Sequence, residues 1–180
     1  RANQGLKTIG VIMKKIYLFI TVMAILAAGC TMNVKGIEEY APVLTIDASD
    51  TLRFIIDAGE DNQWGWEDSG TVFEDIIITE TAGNNAYITS VSWQIEDYEG
   101  RMQENGEHVF TSPMELRAGK SDTLELEIML RGHDAQDIDE NDGNEDSVAR
   151  GIIKFSAEYY DELSAVHTSK YFYSYITAVK

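Results

Sequence analysis

The stretch TLELEIMLR, residues 123–131, decides the fold class of this 180-residue chain. Leu or Ile stands at every second position from Leu124 to Leu130, and the residues between them are Glu, Glu and Met. Successive side chains of a β-strand point to opposite faces of the sheet. The stretch therefore predicts a strand with one buried face and one face in solvent.

The same period of two recurs along the chain. It is clearest at 87–96 and 153–159, and short turns with Gly or Asn separate the apolar runs at 82–86 and 118–121. No segment after Cys30 shows a convincing amphipathic helix. The pattern predicts an all-β fold, an antiparallel sandwich of about seven to eight strands. Further candidate strands are residues 43–47, 51–57, 72–80, 107–111 and 170–179.

The last candidate strand carries apolar side chains on both faces, so alternation leaves open which face is buried. Its two faces carry, respectively, Tyr171, Tyr173 and Tyr175, and Phe172, Ile176 and Ala178.

Two segments of this pattern carry a family resemblance. The stretch FEDIIITETAGNNAYITSVSWQIED (73–97), followed by LRAGKSDTLELEIML (116–130), resembles the immunoglobulin-like domains of bacterial surface lipoproteins. The resemblance implies an immunoglobulin-like β-sandwich over residues 42–180. The chain has a single cysteine, so the paired cysteines of antibody domains are absent. We expect Trp93 to pack in the core without a disulfide.

The stretch MKKIYLFITVMAILAAGC, residues 13–30, has the organisation of a secretory signal. Lys14 and Lys15 precede an apolar run, and small residues lead to Cys30. The run is shorter than the about 20 residues that a membrane-spanning helix needs. The segment LAAGC at 26–30 resembles the lipobox of bacterial lipoproteins, although Ala27 stands where that family usually has leucine. The resemblance implies that Cys30 becomes the lipidated first residue, with the lipid bilayer as its partner.

These features divide the chain into four parts. We interpret 1–12 as upstream overrun, 13–29 as a lipoprotein signal peptide, 30–41 as a lipidated tether and 42–180 as the domain. The protein is then exported and anchored to the cell envelope. Thr31 resembles the residue found after the cysteine in lipoproteins passed to the outer membrane of two-membrane bacteria. The alternative is a signal peptide with an incidental cysteine.

The charge balance limits the class of partner. The net charge is −17, and every residue with charge before Cys30 is basic, so the part after Cys30 is more acidic still. Such a surface repels phosphate groups, and this argues against nucleic-acid binding. It suits either cation binding or solubility alone.

Two long acidic stretches interrupt the short turns: DAGEDNQWGWEDSG (57–70) and GHDAQDIDENDGNEDS (132–147). If consecutive strands are antiparallel, loops at 58–70, 99–106 and 132–149 share one end of the sandwich. The loops at 82–86, 118–121 and 161–168 then share the other end.

The second acidic stretch is a candidate calcium site. Asp137, Asp139 and Asn141 have the spacing that opens an EF-hand loop, but Asp142 and Val148 stand where its Gly and Glu belong. The EF-hand interpretation therefore fails. What remains is an irregular acidic loop that either binds calcium through these three residues or is solvated.

The first acidic stretch is a candidate ligand site. Trp64 and Trp66 could stack on sugar rings or enter a partner's pocket, and Glu67 and Asp68 could bind sugar hydroxyls. The alternative is that one or both tryptophans fold back and cap the end of the sandwich.

No catalytic residues can be named. The chain has no nucleophile-elbow, zinc-protease, P-loop or dinucleotide motif, and its three histidines are scattered. We therefore predict a non-catalytic envelope lipoprotein that binds an envelope or extracellular protein or serves a structural role. The alternative is a calcium- or carbohydrate-binding module that uses the acidic, Trp-bearing loops.

Overall fold

The computed structural model describes residues 41–60, 63–144 and 146–180. The predicted upstream segment, the signal peptide, Cys30 and the tether up to residue 40 lie outside the described residues. No helix in the described part of the chain has the length and hydrophobicity needed to span a membrane. In chain order the elements are β1 (Leu44–Asp47), β2 (Thr51–Ile55), β3 (Ser69–Glu80), β4 (Ala86–Glu96), β5 (Met102–Leu116), β6 (Ser121–Arg131), α1 (Gly132–Asn141), β7 (Ala149–Tyr160), β8 (Val166–Thr168) and β9 (Phe172–Val179).

The alternation in β6 produces the burial that the sequence predicts. Leu126, Ile128 and Leu130 are buried, whereas Glu125 and Glu127 are exposed. Burying one Leu or Ile side chain stabilises the fold by about 1.5–3 kcal/mol. The inward side chains of both sheets form one hydrophobic core within residues 41–180, so this part has what it needs to fold independently.

The strands form two sheets. One has the order β1-β3-β6, and the other has the order β2-β9-β7-β4-β5, with β8 paired to β7. Strands β1, β3 and β6 correspond to strands A, B and E of an immunoglobulin domain. Strands β4, β7 and β9 correspond to its strands C, F and G. The predicted all-β, immunoglobulin-like sandwich is thus confirmed, with nine strands in the described residues.

One strand pair departs from the antiparallel rule. The chain leaves the small sheet after β1 and joins the large sheet as β2, which runs parallel to β9. The crossing at 48–50 is held by the Ser49 N–H, which donates to Glu74 Oε1 at 2.6 Å, and by the Tyr175 N–H, which donates to Asp50 O at 3.0 Å. The segment from β1 to β2 therefore forms an edge strand of each sheet.

Trp93 packs in the core, as predicted. It lies opposite Gly106 on the neighbouring strand β5. A Cβ atom added to Gly106 would lie 2.5 Å from Cζ2 of Trp93, so the indole occupies the space that any larger side chain would need. The pair fills the core without a disulfide.

Helix α1 shows that two predictions are wrong: that no helix follows Cys30, and that the acidic stretch 132–147 is an irregular loop. Only Ala135 and Ile138 supply buried apolar side chains, which is too short an apolar stripe to detect. Its N-cap residue, Arg131, makes no side-chain cap. Instead the Gly132 N–H donates to Asp68 O at 2.8 Å, so a distant loop caps the helix.

Strand β5 is three times as long as the predicted segment 107–111, because it extends from Met102 to Leu116. Ile88 of β4 pairs with Met114 of β5 and Ser90 with Val109, so the residues between these partners on β5 form an irregularity. This irregularity interrupts the alternation, which explains why the sequence revealed only part of the strand. The short strand β8 was also missed.

Candidate functional site

The long connections meet at one end of the sandwich, as predicted; we call the segments 56–68 and 132–148 the loop end. The Gly132 N–H donates to Asp68 O, and Arg131 Nε lies 3.6 Å from Glu104 Oε2 at the start of β5. At the opposite end Asn85 Nδ2 donates to Glu162 Oε1 at 2.8 Å. Consecutive antiparallel strands produce this division because each turn reverses the chain.

The two tryptophans of the loop end point in different directions. Trp64 is 7% exposed and belongs to the core, whereas Trp66 is 78% exposed. The ring of Trp66 stacks on His133 with 3.7 Å between centroids, and Lys180 Nζ lies 5.3 Å from the ring centroid of Trp64. The hypothesis of a presented tryptophan pair is therefore wrong for Trp64, which folds back as the alternative held.

Glu67 and Asp68 have different environments. Glu67 is exposed, but Asp68 is partly buried and its Oδ2 accepts the Gly65 N–H at 2.7 Å. This bond closes the turn that separates the two tryptophans. The Asp68 side chain is thus used in a hydrogen bond to the backbone. Trp66 and Glu67 are the predicted ligand-binding residues that remain accessible.

The predicted calcium ligands lie on α1 rather than in a loop. Asp137 and Asp139 are two residues apart, which places them on nearly opposite sides of a helix with 3.6 residues per turn. Asn141 Nδ2 donates to the carbonyl of Asp137. The described residues contain no group of three or more His, Cys, Asp or Glu side chains that could hold a metal ion. The predicted irregular loop is wrong here, and calcium binding stays a prediction.

A buried polar cluster lies beneath Trp66. His133 Nε2 lies 3.1 Å from Asp134 Oδ1, and Glu104 Oε2 and Asp134 Oδ2 are buried without a hydrogen-bond partner in the structure. Burial raises the pKa of Asp134; His133 and Arg131 oppose this shift, and the charge of Glu104 adds to it. This carboxyl therefore favours its protonated form more than an exposed aspartate does.

Three other buried carboxylates hold turns rather than form a site. Glu80, Asp97 and Asp161 are each buried. Asp97 Oδ1 accepts the backbone N–H groups of Glu99 and Arg101 at 2.9 Å each, and Asp161 and Glu80 bind turn amides in the same way. Burial raises the pKa of all three carboxyls, but hydrogen bonds outweigh it and the net shift is downward. The donors are backbone N–H groups for Glu80, backbone N–H groups with the Arg101 side chain for Asp97, and the His167 side chain with backbone N–H groups for Asp161. Their oxygen atoms already accept hydrogen bonds from the chain's own turns.

The most exposed aromatic surface lies on the outer face of the large sheet. Tyr171, Tyr173 and Tyr175 are each more than half exposed, and Ile55 of the adjacent β2 is exposed as well. Lys154 Nζ lies 5.9 Å from the ring centroids of both Tyr171 and Tyr173. Ile55 pairs with Val179, further along β9, whereas Ile152 pairs with Tyr175 and Lys154 with Tyr173. We call the second group the tyrosine face; it comprises Ile152, Lys154, Tyr171, Tyr173 and Tyr175.

The sequence shows that Tyr171, Tyr173 and Tyr175 share one face of the last strand, but it does not show whether that face points to the core or to solvent. The opposite positions of β9 are buried, with Ser174, Ile176 and Ala178 turned to the core. The tyrosine ring is larger and more apolar in area than serine or alanine, so side-chain hydrophobicity alone would place the tyrosines inside. Ala178 instead pairs with Phe54 of β2, so a small inward residue lies beside a fully buried ring in the close-packed core.

No protein-family model matches the chain, and no curated protein matches it. Solved structures resemble it at low identity. The ApaA protein from Bordetella pertussis is 15% identical with a TM-score of 0.44, over 74% of this chain and 93% of that chain. Murine CRIg is 9% identical with a TM-score of 0.38, over 76% of this chain and 98% of that chain. The PapD-like domain of human CEP192 is 9% identical with a TM-score of 0.34, over 78% of this chain and 86% of that chain.

Proposed function

We propose that this chain is a non-catalytic protein-binding module, exported and anchored to the cell envelope by lipid on Cys30, which binds an envelope or extracellular protein. The observation that supports it is the tyrosine face. Contiguous exposed apolar surface on a soluble domain marks interaction sites. Tyrosine is enriched in protein interfaces because its rigid ring buries a large area and its hydroxyl still forms a hydrogen bond.

The polar contacts of the tyrosine face also favour a protein partner. Lys154 is paired with Glu96 at 2.5 Å, so the charge at the centre of the face is already compensated. A neutralised centre with aromatic surroundings costs less to desolvate than an isolated charge. Such a surface suits binding to another folded surface.

The anchor is tested by replacing Cys30. With wild-type protein in a bacterial host that processes lipoproteins, we expect incorporation of a labelled fatty acid and a mature N-terminus at Cys30. Cys30→Ser removes the thiol that forms the thioether, so we expect no label and a chain that retains the apolar segment. Mass spectrometry of the N-terminal peptide measures both results. An unlabelled wild-type protein that still carries residues 13–29 would contradict the proposal.

The binding surface is tested by site-specific photocrosslinking in the envelope. A photoreactive phenylalanine analogue in place of Tyr173 is expected to give one dominant covalent product with a protein that mass spectrometry identifies. The same analogue at Leu163, which is also exposed but lies outside the tyrosine face, is the matched control. Because the photoreactive group reacts with atoms that it contacts and Leu163 lies outside the proposed interface, we expect crosslinking there to be at least about tenfold weaker.

The affinity of the purified partner for variants of this protein then identifies which surface binds it. Tyr175→Ala is expected to weaken it by about 1–2 kcal/mol or more, and Trp66→Ala to leave it unchanged. Loss of binding with Trp66→Ala and not with Tyr175→Ala would move the site to the loop end. The same result with a glycan as ligand would support the carbohydrate alternative, which the free face of Trp66 favours.

A further inference from the structure

A second exposed apolar surface lies on the opposite side of the sandwich. On the outer face of β1, β3 and β6, Phe73, Ile77 and Met129 are exposed. In the register of these strands Phe73 pairs with Glu127 and Asp75 with Glu125, so carboxylates surround the apolar side chains. We call this surface the acidic face; it comprises Asp47, Phe73, Asp75, Ile77, Glu125, Glu127 and Met129.

The two outer faces differ in charge. The outward positions of β3 from Thr71 to Thr79 and of β6 from Thr123 to Met129 contain acidic residues and no basic one. Arg131, the next outward residue of β6, lies at the end of the strand and is paired with Glu104. On β2, β9 and β7 the outward positions contain Arg53, Arg150 and Lys154 and a single carboxylate, Glu158, which lies at the end of the face. Arg150 pairs with Asp142 and Asp146, and Lys154 pairs with Glu96 of β4, so this face is close to neutral and Arg53 carries its uncompensated positive charge. This separation is notable in a chain with a net charge of −17.

We propose that the tyrosine face of one molecule binds the acidic face of a second copy of this chain. The inference rests on the proposed function and names its partner. Each face supplies what the other lacks: exposed aromatic groups near the cation of Arg53 on one side, and exposed apolar groups with carboxylates on the other. Arg53 is exposed and forms no ion pair within the described residues, so it is available to a carboxylate of the neighbour.

The position of the faces determines the form of the assembly. They lie on the outer surfaces of the two packed sheets and therefore point in opposite directions. A contact between two different patches is heterologous, and when the patches are opposed it does not close into a dimer. Copies therefore add head to tail into an open row.

The size of the contact makes the association weak. Three strands about 4.8 Å apart and about eleven residues long cover about 500 Å². Stable complexes bury about 800 Å² per partner, so the contact belongs to the weak, reversible class. Repulsion between the acidic molecules is screened beyond about 8 Å at physiological ionic strength, which leaves the charges at the contact to select the register. The assembly therefore has to be measured at high protein concentration.

The test uses soluble protein of residues 31–180, which retains the whole domain, and two variants that each block one face. Tyr173→Glu places a carboxylate in the tyrosine face, and Phe73→Lys places a cation in the acidic face. Both positions are exposed, so the melting temperature is expected to stay close to that of wild type. Leu163→Glu, at an exposed position outside both faces, is the control.

Sedimentation equilibrium up to millimolar concentration measures the mass. We expect the average mass of wild type and Leu163→Glu to rise continuously with concentration, and each blocked variant alone to remain monomeric. An equimolar mixture of Tyr173→Glu and Phe73→Lys retains one intact face of each kind, so its mass is expected to rise twofold at most. Tyr175→Glu and Ile77→Lys form a second pair that replaces any variant that fails to fold.

Three results would overturn the inference. Wild type could stay monomeric throughout, the mixture could stay monomeric while wild type associates, or Phe73→Lys alone could form a closed dimer, which would mean that tyrosine faces pair with each other. Failure here differs from failure of the proposed function. A Tyr173 crosslink to a different envelope protein would reject the second copy as partner and keep the binding module.

Discussion

Replacing Glu80 with Ala is expected to lower the free energy of unfolding by about 3 kcal/mol or more. Glu80 is 1% exposed, and its two carboxylate oxygens accept four backbone N–H groups. Two of these belong to the following turn, at Ala82 and Gly83, and the others to Val43 before β1 and to Gly119 in the turn between β5 and β6. Alanine removes the acceptor from all four at once.

Glu80→Gln separates hydrogen bonding from side-chain volume. Glutamine keeps one acceptor oxygen but turns its NH₂ group toward two N–H donors, so we expect a loss between those of alanine and wild type. Glu127→Ala, at an exposed position of β6, is the control and is expected to change stability by less than about 0.5 kcal/mol. Urea denaturation followed by tryptophan fluorescence measures all three. A loss for Glu80→Ala no larger than that of the control would refute the role of this carboxylate.

The same residue gives stability a defined pH dependence. Burial raises the pKa of Glu80, but the backbone N–H donors outweigh it and hold the pKa below its ordinary value; Asp97 and Asp161 have the same direction of shift. A group with a depressed folded-state pKa stabilises the fold above its unfolded pKa of about 4 and loses that contribution as the pH falls through the folded value. Glu80→Gln is therefore expected to flatten the acid limb of the curve.

Trp93→Ala is expected to cost about 3–5 kcal/mol, because it removes the indole from the hydrophobic core and leaves a cavity. Gly106→Ala is expected to cost about 1–3 kcal/mol for the opposite reason. Its new Cβ would lie 2.5 Å from Trp93 Cζ2, a distance that the packed core can relieve only by moving the indole.

A double-mutant cycle tests whether these two effects share one contact. In the Trp93→Ala background the space beside residue 106 is open, so Gly106→Ala is expected to cost almost nothing there. The two changes are then non-additive by about 1–3 kcal/mol, the whole cost of Gly106→Ala in wild type, which denaturation curves of the four proteins resolve. Gly83→Ala is unsuitable as a comparison because Gly83 has a φ of +83°, where any side chain is strained. Strictly additive losses would show that Gly106 is needed for a reason other than the indole.

Trp64 and Trp66 have different environments that their local sequence does not distinguish. Trp64 and Trp66 have the same acidic neighbours, and a spacing of two would place both on one face of an extended segment. The turn closed by Asp68 separates them, and that turn is positioned by a hydrogen bond to Gly132, far along the chain. A Cβ on Gly132 would lie 2.7 Å from Gly65 O, so the contact depends on the absence of a side chain there.

The sequence by itself determined the fold class, most of the strands and the grouping of loops at the two ends. These follow from the alternation of side chains along a strand, a local property of the backbone that every stretch displays independently. It also carries the prediction for Cys30, which depends on a linear signal rather than on a folded shape. The core position of Trp93 follows from the same alternation.

The tertiary structure decided helix α1, the orientation of β9 and the separation of charge between the two outer faces. Helix α1 is capped by a loop more than sixty residues earlier in the chain, and no local pattern records that bond. Strand β9 has apolar side chains on both faces, so the volume left by neighbouring strands selected which side is buried. A charged face exists only when strands distant in sequence lie side by side, because pairing rather than order along the chain brings their outward residues together.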